Sequence, residues 1–142
     1  IAICSTILIK KNGDALLQLR DDIPNIAEPN IWTFPGGHRE KKEKIKDAAY
    51  RELKEETGFI GDKVIEIGRV ESNPAIMSNH TYTYLATDCK KASDQSLDGT
   101  EDIEIIHKHI NEIPKLIKNR DIEHALVVSA FYFYNLHTLD KP

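Results

Sequence analysis

Apolar side chains gather along residues 2–10, where Ile3, Ile7, Leu8 and Ile9 supply β-branched and apolar mass, and apolar and polar positions alternate along 15–20. Both stretches read as strands. Asn12-Gly13 between them predicts a tight hairpin, because both central residues of a type I′ turn need positive φ. In the second strand Gln18 and Arg20 share one face, and Leu17 and Leu19 share the other. Residues 21–30 hold Pro24 and Pro29 among polar side chains and predict a loop. Residues 31–34 predict a short strand ended by Pro35-Gly36-Gly37, where two glycines suit a close approach of backbone to a ligand. The period then changes. Ile45, Ala49 and Leu53 recur at helical spacing across 44–56, a stretch free of Gly and Pro, and Gly58 stands where a C-cap glycine belongs.

Beyond this helix the strand pattern returns at 64–71, is broken by Ser72-Asn73-Pro74, and resumes at 80–88 with Tyr82 and Tyr84 on one face. Packing between sheet and helix is the expected role for both tyrosines, as core burial is for Trp32. Residues 88–102 are polar and turn-rich and predict a mobile loop. Another strand follows at 103–109, carrying His107 and His109 on one face without a third metal ligand in reach of the pattern. Ile113-Pro114 opens a short helix, and a last helix is predicted over 122–137, capped by Asp121. The spread of Ala125, Leu126, Val128, Ser129, Phe131 and Phe133 predicts deep burial of that helix against a sheet. The order of strands, helix, strands, helix predicts an α/β fold: a sandwich in which a mixed, mostly antiparallel sheet lies between helices.

Composition narrows the function. The 142 residues suit one domain over 1–142, and 40% hydrophobic with 30% charged residues is ordinary for a soluble globular chain. A formal net charge of −4 argues against a surface that tracks nucleic acid. No apolar run approaches the ~20 residues of a membrane span, and no signal-peptide pattern is present, so a cytoplasmic protein with no membrane partner is expected. The chain opens on Ile1 rather than Met, which leaves room for preceding residues. Cys4 and Cys89 lie far apart without metal-ligand spacing and are expected to be reduced thiols. A homodimer is compatible with the pattern, since an exposed apolar strand face and a dimer interface look alike in sequence.

The chemistry concentrates between Gly37 and Phe59. At roughly 100° per residue, Glu52, Glu55 and Glu56 fall within an arc of about 100° on the central helix. Carboxylates crowded like this repel one another, and their hard oxygens suit Mg²⁺, which keeps several waters and is shared with substrate phosphates. A solvated helix face is the plain alternative. Against it, Ile45, Ala49 and Leu53 give the adjoining face to the core, so the acids lie at its edge. Arg51 also stands beside them, able to orient a carboxylate through charge-assisted hydrogen bonds.

The stretch GHREKKEKIKDAAYRELKEETGF resembles the Nudix box at every defined position: Gly37, Glu43, then Arg51-Glu52-Leu53-Lys54-Glu55-Glu56, and Gly58-Phe59. With background usage of ~5–7% per residue type, a chance match at one starting point is on the order of one in a billion. The resemblance implies an α/β sandwich and a hydrolase that cleaves nucleoside diphosphates linked to another moiety, using Mg²⁺ or Mn²⁺ held by Glu52, Glu55 and Glu56 with the Gly37 carbonyl. It implies that Glu43 and Arg51 pair as structural support. Relatives often carry glycine just before the spaced glutamate, where this chain has Lys42. In many relatives a glutamate or histidine in a loop after the box serves as general base or an extra metal contact; Glu101 is the first choice, with Asp102 and Glu104 as competitors.

Substrate contacts are expected from Arg20 on a phosphate, from Gly36 and His38 beside the box, and from Asp121 and His124 at the start of the last helix. Pro74 stands fifteen residues beyond Phe59, an offset that accompanies ADP-ribose pyrophosphatases of this family. Compact length instead favours a (d)NTP or related small nucleotide as substrate, in the manner of MutT, with ADP-ribose or a nucleotide sugar as the alternative. A non-catalytic nucleotide sensor is a third reading, disfavoured because the box is intact.

Overall fold

In the computed structural model, residues 2–20, 32–97 and 103–140 are described, with side chains left aside at 2, 4–8 and 20. The main sheet has strand order β4-β1-β7-β6, built from β1 (Ala2–Leu8), β4 (Gly36–His38), β6 (Lys63–Glu71) and β7 (His80–Thr87). β1 runs parallel to β7 and antiparallel to β4, and β6 pairs antiparallel with β7, so the sheet is mixed. A second sheet, β3-β2-β9, is antiparallel and joins β3 (Trp32–Thr33), β2 (Asp14–Arg20) and β9 (Ile103–His109). Two short strands, β5 (Phe59–Ile60) and β8 (Lys90–Lys91), form a third pair.

Alternation along the strands sends successive side chains to opposite faces, and each face of the main sheet takes one helix. Val64, Tyr84 and Ala86 meet Ala48, Ala49 and Leu53 of α1 (Ile45–Thr57), while Leu16 of β2 packs into the same cluster. Ile65, Ile67 and Leu85 meet Val127, Ala130 and Phe131 of α3 (Ala125–Leu139) on the other side. The short α2 (Ile113–Lys118) packs Ile113 into this second cluster. The expected α/β sandwich is therefore present, and Tyr84 is core at 2% exposure. Trp32 packs half-buried at the edge of the second cluster.

The chain reverses in a tight turn where expected, with the Lys10 N–H donating to the Asp14 carbonyl at 2.9 Å, but the turn is not of type I′ and the two strands part beyond it. β1 is a central strand with both edges taken by β4 and β7, so only the bridge Ile9–Ala15 joins it to β2. The turn at 10–13 has Gly13 N–H donating to the Lys10 carbonyl at 2.9 Å, and of Asn12-Gly13 only Gly13 has positive φ, at 88°. Asn12 instead turns its side chain onto the Asp14 N–H at 3.0 Å. Residues 36–38 resume as a strand after the break expected at Pro35-Gly36-Gly37, because β1 offers them an edge.

The 88–97 part of the expected loop is anchored. β8 pairs with β5, Ala92 and Ser93 N–H groups donate to the Gly58 carbonyl at 2.8 and 3.1 Å, and Ser96 N–H donates to the Glu55 carbonyl at 2.7 Å. These donors serve carbonyls that the end of α1 leaves without intrahelical partners. Gly58 makes the arrangement possible: its φ is +76°, and a Cβ there would lie 2.1 Å from the Ser93 carbonyl oxygen.

α3 starts at Ala125 rather than near 122, and His124 caps it by accepting the Leu126 N–H at 3.1 Å; Asp121 stands exposed outside the helix. Ile122 is drawn into the core at 1% exposure, which holds the chain extended ahead of the helix. Burial of α3 is one-sided. Val127, Ala130 and Phe131 are covered, whereas Val128 and Tyr132 are exposed.

Lys42, in the loop leading to α1, adopts φ 67°. A side chain in the left-handed region costs on the order of 1 kcal/mol, which glycine avoids. Lys42→Gly is expected to stabilise the fold by up to about 1 kcal/mol, net of the entropy glycine adds to the unfolded chain. Thermal melts of the two proteins check this; an unchanged or lower midpoint would show that position 42 carries no strain.

Candidate functional site

α1 places Glu52 and Glu56 one turn apart on the side facing the sheet, with Glu55 turned outward. Glu56 is 7% exposed, and the Glu52 and Glu55 side chains are 16% and 46% exposed. Like charges at this spacing cost a few tenths of a kcal/mol, against ~2 kcal/mol gained by fully burying Leu53 from the same helix. The helix therefore holds its acids at little relative cost.

Arg51 organises them. Its Nε and Nη2 donate to the two carboxylate oxygens of Glu43 at 2.9 and 3.1 Å, a bidentate fork. Nη2 also donates to the His38 carbonyl at 3.2 Å, and Nη1 donates to Glu52 at 3.0 Å and Glu55 at 3.4 Å. Glu43 itself accepts the Glu40 N–H at 2.9 Å, closing the loop between β4 and α1. The guanidinium is held above its ordinary pKa, chiefly by the Glu43 hydrogen bond.

Glu56 is held differently. Its Oε2 accepts from Gln18 Nε2 at 2.9 Å and from Gly36 N–H at 3.0 Å. The helix end is tied once more by Gln95, whose Nε2 donates to the Glu56 carbonyl at 2.7 Å and to the Ile103 carbonyl at 3.1 Å. The C-terminal end of α1 is thereby fastened to the start of β9. Gly37 lies directly under Glu52: a Cβ on it would stand 2.6 Å from Oε1. Only a residue without a side chain lets this carboxylate rest on the β4 backbone.

The oxygen donors of Glu52, Glu55, Glu56 and the Gly37 backbone fit a hard cation such as Mg²⁺ in kind. Among the described residues no three acidic, His or Cys side chains already stand together as a cage. Arg51 accounts for part of this, since it draws Glu52 and Glu55 onto its own Nη1. Beyond the C-terminal end of α1, Phe59, Gln95, Ile103, Ile105 and His107 line a groove of ≈ 520 Å³. His107 meets Phe59 edge-on at 6.0 Å between ring centroids.

With this geometry in place, a family model, the NUDIX domain, matches residues 2–128. The chain belongs to the NUDIX family. It is 27% identical over 110 residues to an ADP-ribose pyrophosphatase of Bacillus subtilis (strain 168), covering 77% of this chain and 60% of that protein. The chain thus spans about 60% of the length of that relative. Among solved structures it is similar to an ADP compounds hydrolase, with a TM-score of 0.81 and 22% identity over 94% of this chain and 70% of that one. It is also similar to a MutT NUDIX hydrolase from Burkholderia pseudomallei, with a TM-score of 0.69 and 20% identity over 92% of this chain and 95% of that one. These structural likenesses establish the fold.

Within this NUDIX domain the expected pairing of Glu43 with Arg51 is present; Glu52 lies on Gly37 and Glu56 on Gly36 of β4, while Glu55 shares Arg51 Nη1 with Glu52. The Gly36 N–H is thus spent on Glu56. The His38 side chain is exposed and its carbonyl is spent on Arg51. Pro74 sits exposed in a turn between β6 and β7, and Asp121 is exposed ahead of α3. Glu101, Asp102 and the loop 21–30 lie outside the described residues, as does the Arg20 side chain; Glu104 lines the groove. His109 does not join His107 as a ligand, since its Nδ1 accepts the Asn111 N–H at 3.2 Å. Cys89 is a free thiol, and burial pushes its pKa up to about 11. Among the described residues no helix is long and apolar enough to cross a membrane. Gln18 and Gln95 are missing from the sequence reading, because an amide in a strand or a polar loop carries no signature of its partner.

The Arg51 hydrogen bonds, followed by the Glu40 N–H, hold the Glu43 carboxyl below its ordinary value of 4.5. A depressed carboxyl pKa stabilises the fold fully above the unfolded value and loses that contribution as pH falls through the folded one. Glu43→Gln is therefore expected to lower the melting midpoint at pH 7 and to approach the parent protein as pH drops below about 4. A midpoint difference constant from pH 7 to pH 3 would rule out this linkage.

Proposed function

We propose that this NUDIX domain is a divalent-metal-dependent hydrolase that cleaves the diphosphate of a nucleoside diphosphate joined to another moiety, with ADP-ribose or a related nucleotide sugar as the first substrate class. The observation that carries the reading is the Glu52 carboxylate resting on the Gly37 backbone, inside an intact box that also supplies Glu55 and Glu56. Mg²⁺, with Mn²⁺ as substitute, would be held by Glu52, Glu55, Glu56 and the Gly37 carbonyl, where it would neutralise diphosphate oxygens and polarise the attacking water. The chain's own part is positioning. Arg51 ties Glu52 and Glu55 to one guanidinium nitrogen, β4 presents backbone instead of side chains, and Glu101 is the proposed general base. Arg20, His38, Pro74 and Asp121 remain proposed substrate contacts.

Two facts favour the ADP-ribose class: the name of the Bacillus subtilis relative and the ADP compounds hydrolase among the similar structures. The argument from compact length loses its force, because this chain spans only 60% of that relative. A (d)NTP is the second reading, supported by the MutT-type fold neighbour.

Purified protein with Mg²⁺ incubated with ADP-ribose, dGTP, 8-oxo-dGTP, diadenosine polyphosphates and nucleotide sugars, with products separated by anion exchange, tests this. AMP plus ribose phosphate from ADP-ribose is expected, reduced at least ~100-fold in Glu55→Gln and Glu56→Gln with melting midpoints close to the parent's. Monophosphate plus pyrophosphate from triphosphates alone would move the assignment to the second reading. Full activity in both variants would sink the metal assignment, and nucleotide binding without turnover would make the domain a sensor.

A further inference from the structure

Gln18 is buried to 2% exposure in the middle of β2, where Leu16 and Leu17 are fully buried. An amide is kept in such surroundings only when its polar atoms are used. Its Nε2 reaches Glu56 Oε2 at 2.9 Å, and the Gly36 N–H reaches the same oxygen at 3.0 Å. Two donors from two strands on one carboxylate oxygen fix both the position and the rotation of the carboxyl group. Both donors are neutral.

Glu43 is gripped through both oxygens by the Arg51 cation, so its charge is already answered. Gln18 and the Gly36 N–H both fix Oε2 of Glu56 from the strands beneath it. We propose that Gln18 is a positioning residue that sets the Glu56 carboxylate for the divalent metal, acting through Glu56 and not on substrate. This rests on Glu56 being a metal ligand, as in the proposed function. Partners behind a metal ligand typically govern 10- to 100-fold of metal affinity.

Mn²⁺ binding to the purified protein, followed by titration calorimetry and by the loss of free Mn²⁺ spin-resonance signal, tests it without reference to turnover. Gln18→Leu, and Gln18→Asn whose amide is one methylene short of Glu56, are each expected to weaken Mn²⁺ binding about tenfold. In a Glu56→Gln background, already weakened, adding Gln18→Leu is expected to change affinity less than twofold, since the path through Glu56 is gone. Thermal melts of each variant accompany the titrations. Mn²⁺ affinity unchanged in Gln18→Asn and Gln18→Leu, whatever their melting midpoints, would overturn the proposal, as would a full tenfold loss in the Glu56→Gln background. Unweakened binding in Glu56→Gln alone would instead strike at the metal reading of Glu56, a distinguishable failure.

Discussion

The structure depends on one cation placed among carboxylates. Arg51 projects from the helix whose acids define the site, and its planar fork takes both oxygens of Glu43 while Nη1 turns back to Glu52 and Glu55. A lysine there would offer a point charge and no fork, so it could not set the loop's distance and the acids' orientation at once. Through Glu43 and the His38 carbonyl the same side chain fixes the connection from β4 to α1. It thereby also fixes how Gly37 lies under Glu52. Loop, strand and helix share one electrostatic hub, and the repulsion within the acid cluster is answered by the group that positions it.

Holding the helix from one side would leave its other end free to fray. The second set of ties is made of neutral hydrogen bonds: the 92–96 segment on the Gly58, Glu55 and Glu56 carbonyls, and Gln95 carrying the link onward to β9. Gly58 is the hinge of this arrangement, because both its left-handed backbone and the nearness of the Ser93 carbonyl exclude a side chain. The box glycines thus have separate physical duties. Gly37 clears space for a carboxylate, and Gly58 clears space for a chain that caps a helix.

What was legible in the sequence is what local chemistry decides. The span of α1 and its glycine stop follow from spacing and composition, whereas the Glu43–Arg51 pair is legible only through the resemblance to the Nudix box. The strands 64–71, 80–88 and 103–109 were readable from alternation to within a residue or two. What was not legible is decided by partners distant in sequence. Asn12-Gly13 has the composition of a tight hairpin, yet β1 is claimed on both edges by β4 and β7, and the turn serves two sheets. Residues 88–97 look like free loop because their order comes from carbonyls at the end of α1. His124 rather than Asp121 caps α3 because burial of Ile122 moves the helix start.

The least legible feature, a glutamine in an apolar strand, shows how the site divides its labour. A carboxylate can be oriented by a cation or by neutral donors, and the two choices differ in what remains of its charge. A site meant to receive a divalent ion and an anionic diphosphate needs some acids held in place yet still electrostatically available. The chain grips Glu43 through the Arg51 cation and brings two neutral donors, Gln18 and the Gly36 N–H, onto Glu56 Oε2. Glu52 and Glu55 lie between these cases, sharing one nitrogen of a guanidinium that Glu43 already engages through two others. A cation entering there competes with the Nη1 contact. Arg51 can then surrender that contact while Glu43 and the His38 carbonyl keep the rest of its fork in place.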